Sequence, residues 1–303
     1  MKNKRYILYI LILVSIGLSQ NTYNGLGAWY HANTLAMVGA GSALSNTASD
    51  QMNPAAMESE TRQFTLGFLA YPAGIRSGQI GFVLPGKNGI TMFSMRTLNY
   101  GVFDGYDMQG ESTGTYTASD SWFSAAYNQS LFTPGIKLGV TVGYYTSRIK
   151  AFKSTLIVMT PGIVYKYAPL DLQVGISLQN MGNVIKGYTD IKESLPETIV
   201  AGLAKKLEHL PMTLCLDVGQ IRNTDEYWAR FGGVIHLSQM LEARWGSSTQ
   251  KIDQSTQINL TNDFLGSTGA GLTIHVEGVD IDFGSYLFGA GGWIHGLGCE
   301  VQF

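Results

Sequence analysis

Alternation of apolar and polar side chains, repeated along most of the chain, limits what this sequence can fold into. In GIKLGVTVGYY, Ile136, Leu138, Val140, Val142 and Tyr144 alternate with Lys137, Gly139, Thr141 and Gly143. Successive side chains of a strand point to opposite faces, so a period of two marks a strand with one apolar and one polar face. DLQVGISLQ sets Leu172, Val174, Ile176 and Leu178 against Gln173, Gly175, Ser177 and Gln179. MTLCLDVG sets Met212, Leu214, Leu216 and Val218 against Thr213, Cys215, Asp217 and Gly219. The pattern returns at Leu272, Ile274 and Val276, and again at the end, where Leu297, Cys299, Val301 and Phe303 oppose Gly298, Glu300 and Gln302. From Arg62 to Phe303 about fourteen such strands are expected, with the register open between Leu237 and Thr268.

So many two-faced strands, with none wholly apolar at the centre, favour a closed sheet over an open one, whose edges would be exposed. A soluble β-sandwich or propeller is the structural rival, because alternation does not say whether the apolar face meets lipid or a core. The spacers tilt the balance. PGKNG (85–89), TPG (133–135), APLD (168–171) and HLP (209–211) are short, whereas 103–118, 151–155, 181–195 and 222–226 are mostly longer. Transmembrane barrels show this asymmetry, with short periplasmic turns and longer outer loops. Glycine, 37 of 303 residues against roughly 7% in an average protein, suits twisted strands and tight turns.

The N-terminus reads as an export signal: MKNKR is basic, residues 6–18 are apolar, and Gly17 and Ser19 suit cleavage before Gln20. About 13 apolar residues fall short of the roughly 20 that a spanning helix needs. The expected divisions are a signal peptide (1–19), an N-terminal plug or hatch (20–61) and an outer-membrane barrel (62–303). Residues 20–61 carry no strand pattern; they are rich in small residues and hold an Asx-Pro turn at Asn53 and Pro54. Strand parity puts Cys215 on a polar and Cys299 on an apolar face, so no disulfide is expected between them. Tyr71, Tyr100, Tyr144, Tyr145, Trp228, Trp245 and Trp293 fall near strand ends, where interfacial girdles place aromatics.

Catalytic and metal signatures are missing. Asp104, Asp107 and Glu111 are spaced three and four apart, which an EF-hand does not tolerate. The histidines, at 31, 209, 236, 275 and 295, form no HExxH or zinc-like cluster. GAGSAL (39–44) lacks the third glycine and the βαβ unit of a dinucleotide site. A net charge of −2 and 14% charged residues give no support for a nucleic-acid partner. The expectation is a chain that is not an enzyme and has no cofactor.

Three blocks carry a family resemblance: LAMVGAGSAL followed by Asp50 and NPAAM; LNYGVFDGYDMQGESTGTYTASD (98–120); and NMGNVIKGYTDIKESLPETIVAGLAKKLEHLP (180–211). They resemble the PorV/PorQ family of outer-membrane proteins of the type IX secretion system, most closely its PorQ-like branch. Its fold is similar to FadL-type channels, whose lumenal hatch also carries Asn-Pro-Ala, here Asn53, Pro54 and Ala55. The first block departs from the family: Asn33 stands where Arg is usual, and Val38 where Gly is common.

The resemblance implies an all-β, FadL-like transmembrane antiparallel barrel of about fourteen strands with an N-terminal plug, located in the bacterial outer membrane. It implies a non-enzymatic component that anchors the surface attachment complex receiving secreted cargo. The implied partners are PorZ-like and PorU- or PorV-like surface proteins, besides outer-membrane lipid and the barrel-assembly machinery. By loop register, Asp104, Asp107 and Glu111, with Lys186, Tyr188, Asp190 and Glu193, are the outer residues expected to meet such partners. The closing GCEVQF resembles a barrel-assembly signal carried by Gly298, Val301 and Phe303. The alternative is a FadL-like transporter of hydrophobic small molecules, with an interior pocket and a lateral opening made by a strand kink. Against it, the inward faces would carry Gln173, Ser177, Gln179, Thr213 and Asp217, a polar lining for a fatty-acid route.

Overall fold

A computed structural model describes residues 23–131, 133–190, 193–222, 224, 226–251 and 265–303. The expected signal peptide therefore lies outside the described residues. One antiparallel sheet contains fifteen strand segments. These are β1 (Gln63–Ala70), β2 (Arg76–Pro85), β3 (Gly89–Tyr106), β4 (Ser112–Ser130), β5 (Ile136–Ile149), β6 (Phe152–Tyr167), β7 (Leu172–Gln179) and β8 (Met181–Lys186), then β9 (Thr198–Lys206), β10 (Met212–Ile221), β11 (Tyr227–His236), β12 (Leu241–Ser248), β13 (Thr268–Val276), β14 (Val279–Leu287) and β15 (Trp293–Gln302). Neighbours in sequence pair except around β8, which pairs with β6 while β7 pairs with β9, and β1 also pairs with β15 from Gln63↔Gln302 to Ala70↔His295, which closes the ring. β7 and β8 are halves of one strand parted at Asn180, so the wall is a fourteen-strand barrel.

The alternation decides which face turns out. Leu66, Phe68, Phe93, Phe123, Ile157 and Leu272 are exposed on the outside, while Thr65, Ser94, Thr141, Thr160 and Asp217 are buried on the inside. An apolar exterior around a polar interior inverts the soluble sandwich and matches the lipid-facing band of a membrane barrel. Gln173, Ser177, Gln179, Thr213 and Asp217 face inward as the parity requires. Cys215 packs in the lumen against Met37 and Ala43, and Cys299 sits on the outward file with Leu297, so the wall separates the two thiols.

Several expected loops are strand instead. Residues 151–155 shrink to a turn at Lys150 and Ala151, because Phe152 already pairs with Ile149. The acidic stretch is mostly ladder: β3 runs to Tyr106 and β4 starts at Ser112, leaving a turn in which Asp107 Oδ1 accepts the N–H groups of Gln109 (3.0 Å) and Glu111 (2.9 Å). This hairpin outruns its neighbours. β2 pairs with β3 only as far as Asn99, and β5 with β4 only from Ala118, so 102–117 projects about 20 Å past them at roughly 3.3 Å per residue. The aromatic girdle also needs correcting. Tyr144, Trp245 and Trp293 face outward, but Tyr71, Tyr100, Tyr145 and Trp228 turn inward, where Tyr71 donates to the Trp29 carbonyl, Tyr100 donates to Asp120 and the Trp228 ring meets Arg230.

Candidate functional site in the lumen and its wall

Residues 23–57 thread the barrel interior. They hold a single short helix, α1 (Ala32–Ala36), and 3-10 turns at Asn24–Leu26, Thr47–Asp50 and Pro54–Ala56. Small residues explain the absence of longer helices: AMVGAGSAL offers little apolar surface to bury, so polar ties to the wall fix the path. Asp50 pairs with Arg96 of β3. Asp217 Oδ2 of β10 accepts the backbone N–H groups of Gly41 and Ser42, each at 2.9 Å. Thr47 donates to Glu300 Oε2 (3.0 Å), Ser45 to Gln173 Oε1 (3.0 Å), and Gln179 Nε2 to the Met52 carbonyl (2.8 Å). Asn53 caps the turn at Pro54 and Ala55, its Oδ1 accepting from the Ala55 N–H (3.2 Å), and Asn128 Nδ2 of β4 donates to the carbonyls of Pro54 (3.1 Å) and Met57 (2.7 Å).

Inward glycines make room for this path. A Cβ on Gly269 would stand 2.6 Å from the Ala36 carbonyl oxygen and 2.8 Å from that of Leu35. Gly67 and Gly284 face the Tyr30 and Ala32 carbonyls just as closely, and Gly139 faces Ala55. Much of the glycine expected to serve turns and twist is therefore wall that lets another backbone lie against it.

The wall is interrupted at Asn180. Asn180, at φ 58, is one extra residue: Gly162 faces Ser177 but Met159 faces Met181. A left-handed residue and a bulge re-aim the chain there. β7 pairs with both β6 and β9, whereas among the described residues β8 pairs only with β6. The buried Leu195 and Pro196 stand beside the break, and Asn180 Nδ2 donates to the Pro196 carbonyl (3.4 Å). Directly inside lies a cavity of about 210 Å³ bounded by Leu26, Trp29, Asn180, Pro196, Trp228 and Arg230. A second, polar cavity of about 320 Å³ lies on the other side of residues 44–47, toward the end of the barrel that carries the C-terminus; His236, Glu242, Arg244, His275, Asp282 and Glu300 line it.

The loop residues singled out in the sequence do not form one outer surface. Asp104 is on β3, while Asp107 and Glu111 are exposed at the hairpin turn, flanked by exposed Val102, Tyr106 and Met108. Lys186 ends β8 and Asp190 is exposed. Tyr188 turns inward instead: its ring stacks on Tyr23 (6.0 Å between centroids), and its hydroxyl donates to Ser147, which donates to Asp120. Burial, with the Asp120 charge adding, pushes the Tyr188 phenol up to about 12. Glu193 is half-buried, with Oε2 enclosed. Gly298 faces Asp282 inside the barrel, Val301 lies on the outward file, and the Phe303 ring packs at 5.6 Å from Phe82. Among the described residues no group of three or more His, Cys, Asp or Glu is arranged to hold a metal ion.

Sequence reasoning passed over Arg96, Asp120 and Arg230, the charges that organise the lumen. Their parity with Ser94, Ser124 and Val234 was the available signal. No family model matches the chain, and no curated protein does. Among solved structures, the toluene transporter TbuX of Ralstonia pickettii is similar at a TM-score of 0.62 and 11% identity, over 90% of this chain and 98% of that one. The toluene transporter TodX of P. putida is similar at 0.57 and 10% identity, over 90% and 98%. At such identities the likeness establishes the architecture, a FadL-like fourteen-strand barrel, and that alone.

Proposed function

We propose that this chain is a bacterial outer-membrane channel of FadL-like fold that admits small hydrophobic molecules through its wall. The observation that carries this reading is the break in strand pairing at Asn180, a residue that also lines the cavity beside Trp29 and Trp228. A hydrophobic solute in the outer leaflet would enter sideways, without crossing the polar lumen end to end, which answers the objection raised by Gln173, Ser177 and Asp217. The segment 23–57 then serves as a plug that separates this cavity from the periplasmic one. The fold it shares with proteins described as toluene transporters supports the reading. The test is saturable uptake of labelled toluene by cells that express the chain. Uptake no faster than in cells with an empty vector, with the barrel verified in the outer membrane, refutes it.

A second reading, surface assembly of the PorV/PorQ type, is favoured by one feature, the projecting hairpin. Met108 is 99% exposed, Val102 68% and Tyr106 64%, beside Asp104, Asp107 and Glu111. Apolar side chains held in water beyond the wall suit a protein partner. Pull-down from detergent-solubilised outer membrane decides between the two. Recovery of PorZ- or PorU-like proteins, lost on Tyr106→Ser with Met108→Ser, supports assembly; recovery of the barrel without them supports transport.

A further inference from the structure

We infer that the cavity behind the wall break binds small aryl carboxylates, with Arg230 holding the carboxylate; this rests on the transport reading and names its substrate class. Arg230 lies on β11 and points inward. Its guanidinium carbon is 3.9 Å from the Trp228 ring centroid and 5.7 Å from that of Trp29. Those rings fix the plane of the guanidinium and attract its charge without supplying an acceptor oxygen. Among the described residues Arg230 makes no ion pair, and its Nε is buried without a hydrogen-bond partner. Asp217, the cross-strand neighbour of Arg230, also lines the cavity; its Oδ2 is committed to the N–H groups of Gly41 and Ser42, its Oδ1 is buried without a partner, and the two side chains form no ion pair.

Among the described residues no acceptor stands at ion-pair distance from this guanidinium, and an arriving carboxylate supplies two in the fork geometry that a guanidinium prefers. Room for the guanidinium depends on Gly39: a Cβ there would stand 2.8 Å from Arg230 Nη1 and 2.9 Å from Trp29 Nε1. Volume sets the rest of the ligand. An apolar cavity of about 150 Å³ accepts benzene; this one, about 210 Å³ and lined also by Gln51, Gln179, Thr198 and Gln250, takes one ring with a short polar arm and is too small for a long acyl chain. The ring would lie among Trp29, Trp228 and Leu26, and on the transport reading it would enter beside Asn180.

The experiment titrates the purified full-length protein in detergent with phenylacetate, with its uncharged counterpart phenylacetamide, and with toluene, by calorimetry. The wild type is expected to bind phenylacetate at least tenfold more tightly than phenylacetamide. Arg230→Gln should erase that preference and keep toluene binding, and Arg230→Lys, which keeps the charge but loses the fork, should retain part of it. Equal binding of acid and amide overturns the inference and leaves the transport reading standing if toluene binds. Binding of none of the three overturns both. Should Arg230→Gln fail to fold, the wild-type ratio of acid to amide still decides.

Discussion

Removal of the Asp50 carboxylate tests whether the polar lumen holds residues 23–57 in place. Arg96 and Asp50 are enclosed, with side chains 0% and 1% exposed. Arg96 also receives support that does not depend on Asp50: Nε donates to Gln79 Oε1 at 3.0 Å, and the guanidinium lies 4.8 Å from the Trp122 ring centroid. Breaking a buried ion pair from one side costs about 3–5 kcal/mol because a charge is left uncompensated. The stacking on Trp122, worth about 0.5–2 kcal/mol, survives in the variant, so Asp50→Ala should fall near the lower figure, about 3 kcal/mol. The barrel ladder does not contain Asp50, so the loss should appear first as release of the inner segment. Urea unfolding of the refolded protein, followed by tryptophan fluorescence, reads the energy, and proteinase K cleavage within 23–57 reads the release. The pair leaves Arg96 Nη1 and Asp50 Oδ1 without partners, so a joint apolar replacement, Asp50→Leu with Arg96→Met, should cost less than the two single changes together. A double variant whose cost equals the sum of the single costs would show that the two charges are not coupled, and the argument would fail.

Other outcomes follow from the same geometry. Burial lowers the His31 pKa to about 4, with Asp50 opposing and Arg96 adding. The folded state then binds fewer protons than an unfolded chain with pKa near 6.5, so this contribution is complete above pH 6.5 and is lost as pH falls toward 4. About 3 kcal/mol is at stake, and His31→Gln should flatten the pH dependence of urea midpoints between 4 and 6.5. Gly269→Ala forces a methyl group against the Leu35 and Ala36 carbonyls and should cost about 1–3 kcal/mol by overpacking, with α1 becoming protease-sensitive while the barrel keeps its heat-modifiable mobility. Phe303→Ala removes the ring that packs on Phe82; reduced insertion in a barrel-assembly assay is expected, and unchanged insertion would remove Phe303 from the proposed assembly signal.

The period of two determined the most about this protein. Because a strand offers only two faces, parity alone assigned Gln173, Asp217, Cys215 and Cys299 to their sides of the wall, and the succession of such strands implied about fourteen of them. Parity says nothing about where pairing stops. The ladder continues through 103–106, the start of the acidic stretch, and through 152–155 because backbone hydrogen bonds are indifferent to side-chain polarity, so those stretches read as loops and fold as strand. Nor does a strand pattern reveal what lies against it. That Gly67, Gly269 and Gly284 are contacts for another backbone, that Asp50 meets Arg96 across 46 positions of sequence, and that Tyr188 turns in onto Tyr23 follow only from closing the barrel around its own N-terminal segment. The break at Asn180 is of the same kind. One left-handed residue in an ordinary-looking strand becomes a break in pairing only because β9 takes its place in the sheet beside β7, so that among the described residues β8 pairs with β6 alone.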